Sequence, residues 1–451
     1  MKFEGVKVPP LPWSILTGMV AAFAMGAART MTSTEELLAK NLALKVAGFV
    51  PLPGAGHWGT MQSIKPALAG GLFFALALGA GVGVLGFILG RLGSLLGKNA
   101  KLFIIAACAL LPIAAFLGGD ALLGVTLAVA LLYSVRYSMS APPPEPRRAV
   151  ALLLSLLILA SPLAVVLKSS TGGFETVRNA LIKSESTGGI SDFYYRWTLY
   201  PAESIKPLLA RSQVTAFISP ELEKRRAKVI AAALKSRNIY ILGDEKGAEI
   251  LVKPNKETAL LVTRGQSIKL ETLSVEKISS GLNKLSSLSD DSRVLRRVTL
   301  YALAGGFPLA LLLSTAALIG WAMRGRRVPA LILSATIAAG AALYFGTASE
   351  ELDYLHREAG VEELSEALSS PNPLYRLYGA LGGMRHPEEL TAELIASTAD
   401  PVINVRYTSA LALEKADAAE VTERLHEILE SDDEWYVKTR AFHALKNSGR
   451  L

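Results

Sequence analysis

Seven stretches of this chain are almost wholly apolar, residues 12–28, 67–90, 102–118, 121–135, 149–167, 298–322 and 328–346. Two blocks of mixed polar and apolar periodicity lie among and after them. An α-helix rises 1.5 Å per residue, so roughly 20 apolar residues cross the roughly 30 Å of hydrocarbon in a bilayer. The pattern therefore predicts a polytopic α-helical membrane protein with about seven spans. Residues 1–168 would form a bundle of five spans with an interfacial loop at 29–66. A soluble α+β domain at 169–297, two further spans at 298–349 and a helical block at 350–451 would follow.

Within the second span and just after it, Gly79, Gly83, Gly86, Gly90, Gly93 and Gly97 recur at steps of four and three and share one helical face. Such a ridge lets another backbone approach closely, which is how helices associate in lipid. The partner is expected to be either a helix of this chain or a second copy. In the loop 29–66, Ser33 and Glu36 have the spacing of a capping box and predict a new, partly amphipathic helix. Trp58, beside the single histidine His57, reads as an anchor at the level of lipid headgroups.

The middle block predicts a helix over 221–237, four short strands at 239–242, 249–252, 259–262 and 267–272, and a helix over 275–288. Strands that follow one another so closely point to an antiparallel sheet. Ahead of them stands an aromatic segment containing Phe193, Tyr194, Tyr195, Arg196, Trp197 and Tyr200, residue types enriched at binding hot spots and at lipid headgroups, although packing in the domain core competes with that reading.

Charge sharpens this layout. Lys and Arg outnumber Asp and Glu by 7 in residues 169–297, whereas residues 350–451 carry an excess of 10 acidic groups. The overall charge of +8 comes mostly from short loops beside the spans, so it argues for membrane orientation and against nucleic acid as a partner. Placing Arg91, Lys98 and Lys101, then Arg136, Arg147 and Arg148, then Arg324, Arg326 and Arg327 in the cytoplasm puts both soluble blocks on the outer side of a bacterial-type inner membrane. Arg293, Arg296 and Arg297, just before the sixth span, work against that arrangement. The run Ala24 to Ala28 also resembles a signal-peptide cleavage region behind Lys2 and Lys7, but an uncleaved anchor is the preferred reading.

After residue 350 the pattern repeats. Ser370, Asp400 and Asp432 each stand six residues before Arg376, Arg406 and Lys438, and Trp435 and Tyr436 lie within the third unit. Each basic residue is followed by small and apolar positions at helical spacing. These units resemble the HEAT-like α-solenoid repeats, in particular the short bacterial form whose units begin with an acidic turn and a Val-Arg pair. The resemblance implies a stacked helical fold that offers a docking surface to proteins. The first unit departs from it, with Gly379, Gly382 and Gly383 where small residues and Leu are expected.

Reaction chemistry is sparse. The single cysteine, Cys108, reads as a packed hydrophobe, and His356, His386, His426 and His443 are too far apart in sequence to share a helical turn. No metal site, cofactor or catalytic motif is predicted, and Asp192, Arg196 and His57 are the only residues that could be named for a membrane-embedded enzyme acting on lipid or envelope glycan. The leading expectation is an integral membrane scaffold or assembly subunit. It would hold protein partners through Phe193, Tyr194, Tyr195, Arg196, Trp197, Tyr200, Arg376, Arg406, Trp435 and Tyr436, sit in the lipid bilayer, and form homo-oligomers, if any, through the glycine ridge. A transporter or permease-like channel subunit is the alternative.

Overall fold

The computed structural model describes residues 10–52, 58–95, 98–142, 205–255, 258–270, 272–322 and 349–451, together with Gly54, Glu203 and Thr336. The predicted spans 149–167 and 328–346, the aromatic segment 193–200, His57 and Gly97 lie outside the described residues. Two compact units are present: Met1–Thr32 with Ile64–Glu175 and Asp290–Ala342, and Ser33–Ser63 with Thr176–Ser289 and Leu343–Leu451.

Helix α1 (Pro10–Val46) begins the described chain and belongs to the first unit up to Thr32 and to the second from Ser33. Helix α2 (Trp58–Gln62) belongs to the second unit, and α3 (Ile64–Gly93), α4 (Lys98–Leu117) and α5 (Ala121–Met139) return to the first. Helix α1, α3 and α5 are long and apolar enough to cross a membrane; the apolar part of α4, Lys101–Leu117, is shorter. The expected seven spans are thus corrected to three among the described residues. The predicted stretch 298–322 falls on α8 (Arg293–Tyr301) and α9 (Phe307–Ala322), which are joined by a π-turn at Ala302–Gly306.

The glycine ridge of α3 is filled by helices of the same chain. A Cβ built on Gly79 would lie 2.4 Å from the Gly18 carbonyl oxygen, and one on Gly83 2.4 Å from that of Ser14, so α1 presses its backbone onto α3 there. Further along the axis the neighbour changes to α5: Gly86 meets Ser134, Gly90 meets Val135 and Ser138, and Gly93 meets Met139. Ser14, Ser134 and Ser138 are fully buried at this crossing, with the Ser14 and Ser138 hydroxyls 3.2 Å apart. Asp120 caps α5 by accepting from Leu123 N–H at 3.0 Å and forms an ion pair with Arg29 of α1.

Helix α1 does not stop before Ser33. It runs unbroken for 37 residues, which corrects the predicted loop and capping box. The stretch from Arg29 to Glu36 contains neither Gly nor Pro, and its hydroxyls turn inward: Thr30 and Thr32 donate to the carbonyls of Gly26 and Ala28. Glu36 pairs with Arg264. The helix ends at Gly48, whose φ of +80° only glycine adopts easily. Phe49 N–H bonding to Leu44 C=O and Gly48 N–H to Lys45 C=O complete a Schellman motif.

The second unit contains a five-stranded mixed sheet. Its strands are β1 (Val214–Ile218), β2 (Ile239–Leu242), β3 (Ile250–Asn255), β4 (Thr258–Thr263) and β5 (Gln266–Lys269), in the order β2-β1-β3-β4-β5. Strand β1 is parallel to both its neighbours, and only β3-β4-β5 is antiparallel, which corrects the expected all-antiparallel sheet. The unread element is β1, Val-Thr-Ala-Phe-Ile: paired on both sides, it lacks the in-out alternation of a half-exposed strand. Helix α6 (Lys224–Ser236) connects β1 to β2 as a crossover, and α7 (Val275–Leu288) follows β5. Arg264 and Gly265, both at positive φ, make the two-residue turn between β4 and β5.

Alternate residues divide the sheet faces. Val214, Ala216, Ile239, Val252 and Leu261 join Ile230 and Leu234 of α6 and Ile278 and Leu282 of α7 in one core. From the other face, Tyr240 and Leu242 of β2 pack with Leu44 of α1, with Leu52, and with Phe442 of the last helix.

The remaining helices are α10 (Ser349–Arg357), α11 (Val361–Leu368), α12 (Pro373–Gly383), α13 (Thr391–Ser397), α14 (Ile403–Ala412), α15 (Ala419–Ser431) and α16 (Trp435–Asn447). Their core is one buried cluster that also takes in Leu37 of α1 and Met61 of α2, with Trp58 packed against it. Trp58 therefore serves the solenoid core, a correction to the headgroup anchor expected from sequence. The unexpected glycines of the first repeat have a cause. A Cβ on Gly382 would lie 2.5 Å from the Leu355 carbonyl oxygen, and one on Gly379 3.0 Å from Leu368 N, so α12 needs them to approach α10 and α11.

Candidate functional site

The repeated acidic and basic positions form a ladder. Ser370 Oγ, Asp400 Oδ1 and Asp432 Oδ1 each accept the N–H two residues on, from Asn372, Val402 and Glu434, and so shape the turn that starts α12, α14 and α16. Arg376 then donates to the Ser370 and Pro371 carbonyls of its own turn and to both oxygens of Asp400 in the next unit. Arg406 repeats this with the Asp400 and Pro401 carbonyls and Asp432. Lys438, at the matching position of the third repeat, donates to the Glu430 carbonyl at 2.7 Å. The six-residue spacing is thus the reach of a side chain back to its own turn, and the repeat step is the distance to the next rung. Arg376 and Arg406 are both engaged inside the solenoid, and Trp435 is buried in its core at 1% exposure.

Tyr436 is placed differently. Its ring stacks on Tyr407 of α14, centroids 4.2 Å apart and nearly parallel, at the edge of a cleft of about 390 Å³. One wall is the face of α16 carrying Tyr436, Thr439, Arg440, His443 and Asn447, positions at helical spacing. The opposite wall is the segment Lys206 to Val214 that leads into β1, and Arg237 and Asn238 at the end of α6 close the rim.

This segment is held by buried polar groups. Gln213 exchanges hydrogen bonds with Val50 C=O at 2.8 Å and Leu52 N–H at 2.9 Å, while its own carbonyl accepts from Lys40 Nζ at 2.9 Å. Glu249 receives Arg211, Lys40 and Thr215 N–H. Glu203 accepts from Ser212 N–H and Oγ and pairs with Lys206. Burial pushes the Glu203 carboxyl up, but Lys206 and the Ser212 N–H outweigh it and hold the group below its ordinary value.

His443 Nε2 lies 3.0 Å from the Ser212 carbonyl oxygen, an acceptor, so this nitrogen carries the hydrogen. Burial, reinforced by the Arg440 charge, depresses the imidazole to about 4, and it is neutral at neutral pH. Arg440 pairs with Glu414, which Asn447 also reaches. Burial lowers the Arg440 guanidinium below its ordinary value.

The face of the acidic block that meets the sheet is therefore locally basic. Its contacts there are Phe442 with Tyr240, Lys446 Nζ 4.1 Å over the Tyr240 ring, and the His443 bond. The polar face of α16 could have been read from its spacing alone. The opposite wall could not, since it comes from a segment more than 200 residues earlier whose position depends on Gln213 and Glu249.

Comparison with known families matches residues 361–446 to the family model for HEAT repeats. No match was found among curated proteins or among solved structures. Residues 361–446 span α11 to α16, so the solenoid is a HEAT-repeat region by both sequence and architecture.

Proposed function

We propose that this chain is a membrane-anchored docking protein that recruits protein partners through its HEAT-like repeats and mixed-sheet domain. The match of residues 361–446 to HEAT repeats, in a chain that also holds three helices apolar enough to cross a bilayer, is the observation that carries the reading. HEAT-like solenoids serve widely as protein-interaction surfaces, a fold-level analogy. In this reading the scaffold is multi-pass, uses the further apolar stretches at 149–167 and 328–346 as spans, and displays its soluble modules on the outer side of a bacterial-type inner membrane.

Two experiments test it. Cysteines placed at exposed Lys228 and Glu389 are expected to react with a membrane-impermeant maleimide added to spheroplasts. Labelling of both only after lysis overturns the orientation. A photoreactive residue at Glu389 or at Tyr407 should yield discrete protein adducts in membranes that persist after stringent detergent purification. Absence of adducts from every solenoid and sheet-domain position tried overturns the docking role.

A further inference from the structure

We propose that the cleft between the segment Lys206 to Val214 and α16 binds a small molecule through a dianionic phosphate group. The inference goes beyond protein docking and rests on the charges that surround this space. Lys206, Arg211, Arg237 and Arg440 line the cleft, and no carboxylate does. The carboxylates that neutralise them, Glu203, Glu249 and Glu414, stand behind their partners, outside the lining.

The compensation is incomplete. Glu249 is shared between Arg211 and buried Lys40. Arg237 donates only to neutral groups, Ser279 Oγ at 3.3 Å and Asn283 Oδ1 at 3.2 Å. Four cations line the cleft against three carboxylates, one of which is shared with buried Lys40, so net positive charge is left at the cleft. Hydrogen bonding is unfinished as well: the buried Nε atoms of Arg211 and Arg440 donate to nothing among the described residues.

A phosphomonoester answers this demand. Near neutral pH it carries close to two negative charges and three strong acceptor oxygens, and guanidinium forks match its geometry. A carboxylate brings one charge and two oxygens. The cleft, at about 390 Å³, falls within the range of small-ligand pockets, roughly 300–1,000 Å³, and so has room for an organic moiety beside the phosphate. The stacked rings of Tyr407 and Tyr436 supply the surface for it. A free phosphate ester and the phosphomonoester headgroup of phosphatidic acid share this chemistry.

The test is calorimetric titration of glycerol 3-phosphate into the full chain reconstituted in phosphatidylcholine nanodiscs. Saturable binding is expected, weakened about ten-fold by Arg237→Gln and about a hundred-fold by Arg237→Glu. Arg237 is exposed and bonded only to neutral side chains, so these variants should melt like the parent chain. Repeating the titration in discs that contain phosphatidic acid separates the sources: a blocked isotherm identifies the lipid headgroup, an unchanged one the free ester. The proposal is overturned by absence of saturable binding, by equal affinity for succinate, or by indifference to Arg237→Glu.

Discussion

Helices stack in register in both units, but by opposite means. Where α1 and α5 cross α3, side chains are deleted: Gly79, Gly83, Gly86 and Gly90 let backbones touch, and the Ser14 and Ser138 hydroxyls bond across. Where α12, α14 and α16 stack, each contact is bridged by a long charged side chain that reaches from one turn to the next. Apolar surroundings give apolar side chains nothing for leaving them, so close packing supplies the attraction. Water penalises an unpaired turn and rewards apolar burial, so the solenoid adds a leucine-rich core and spends polar groups on its turns. The first region tolerates no added atom, and the second tolerates no lost partner.

The largest effect should come from adding atoms to the ridge. Gly83→Leu would drive a side chain into the Ser14 carbonyl and is expected to cost at least about 3 kcal/mol, seen as loss of a monodisperse detergent-solubilised chain. Gly59→Ala, with nothing within 4 Å, is the matched control and should be neutral. If both variants behave alike, close backbone contact is not what holds the first unit. Next comes the ladder. Arg406→Ala strands Asp432 and the Asp400 carbonyl, at an expected cost of about 3 kcal/mol, whereas Lys438→Ala, which removes one bond to a backbone carbonyl, should cost under about 1 kcal/mol. Hydrogen exchange of the α14 and α16 amides reads both, and equal protection in the two variants would show that the rungs do not carry stability.

Acid should act on the second unit, which holds both His443 and Glu203. In the unfolded chain His443 titrates near its ordinary value of 6.5, but in the folded chain near about 4. Between those values the unfolded state binds the extra proton, so stability rises with pH there and is lost as pH falls from about 6.5 toward 4. The full loss amounts to roughly 3 kcal/mol. Glu203, whose folded value is lowered, contributes stability above its unfolded value of 4.5 and loses it only as pH falls through the folded one, so the first loss on acidification belongs to His443. Thermal melts of the full chain at pH 7 and pH 5, with and without His443→Gln, check this. An unchanged pH dependence in the variant would remove the imidazole from the account.

How much of this was legible in the sequence follows from the range of each interaction. The solenoid units, α7 and the edges of most strands are set by local spacing, turn residues and capping, and they stand close to where the sequence puts them. Ladder positions were legible as a repeat, though not as rungs, because the rung joins residues 24 to 26 positions apart. The cleft was not legible. Its two walls meet through the Ser212–His443 bond and through Tyr240 against Phe442 and Lys446, and nothing near Lys206 or in β1 announces α16 as a neighbour. Residues Phe193 to Tyr200, read as a partner surface, lie outside the described residues.

The smallest predicted effect concerns the helix that contributes to both units. If a helix began at Ser33, Thr32 would stand outside it, and Thr32→Ala would change nothing. In the unbroken α1 the same residue is an exposed interior position whose hydroxyl bonds back to the Ala28 carbonyl. Threonine there restricts its own rotamers and strains the turn slightly, and alanine does neither. Thr32→Ala should therefore stabilise the chain by about 0.5 kcal/mol, measurable as slower exchange of the amides from Arg29 to Glu36. Unchanged exchange would favour a helix break at Ser33.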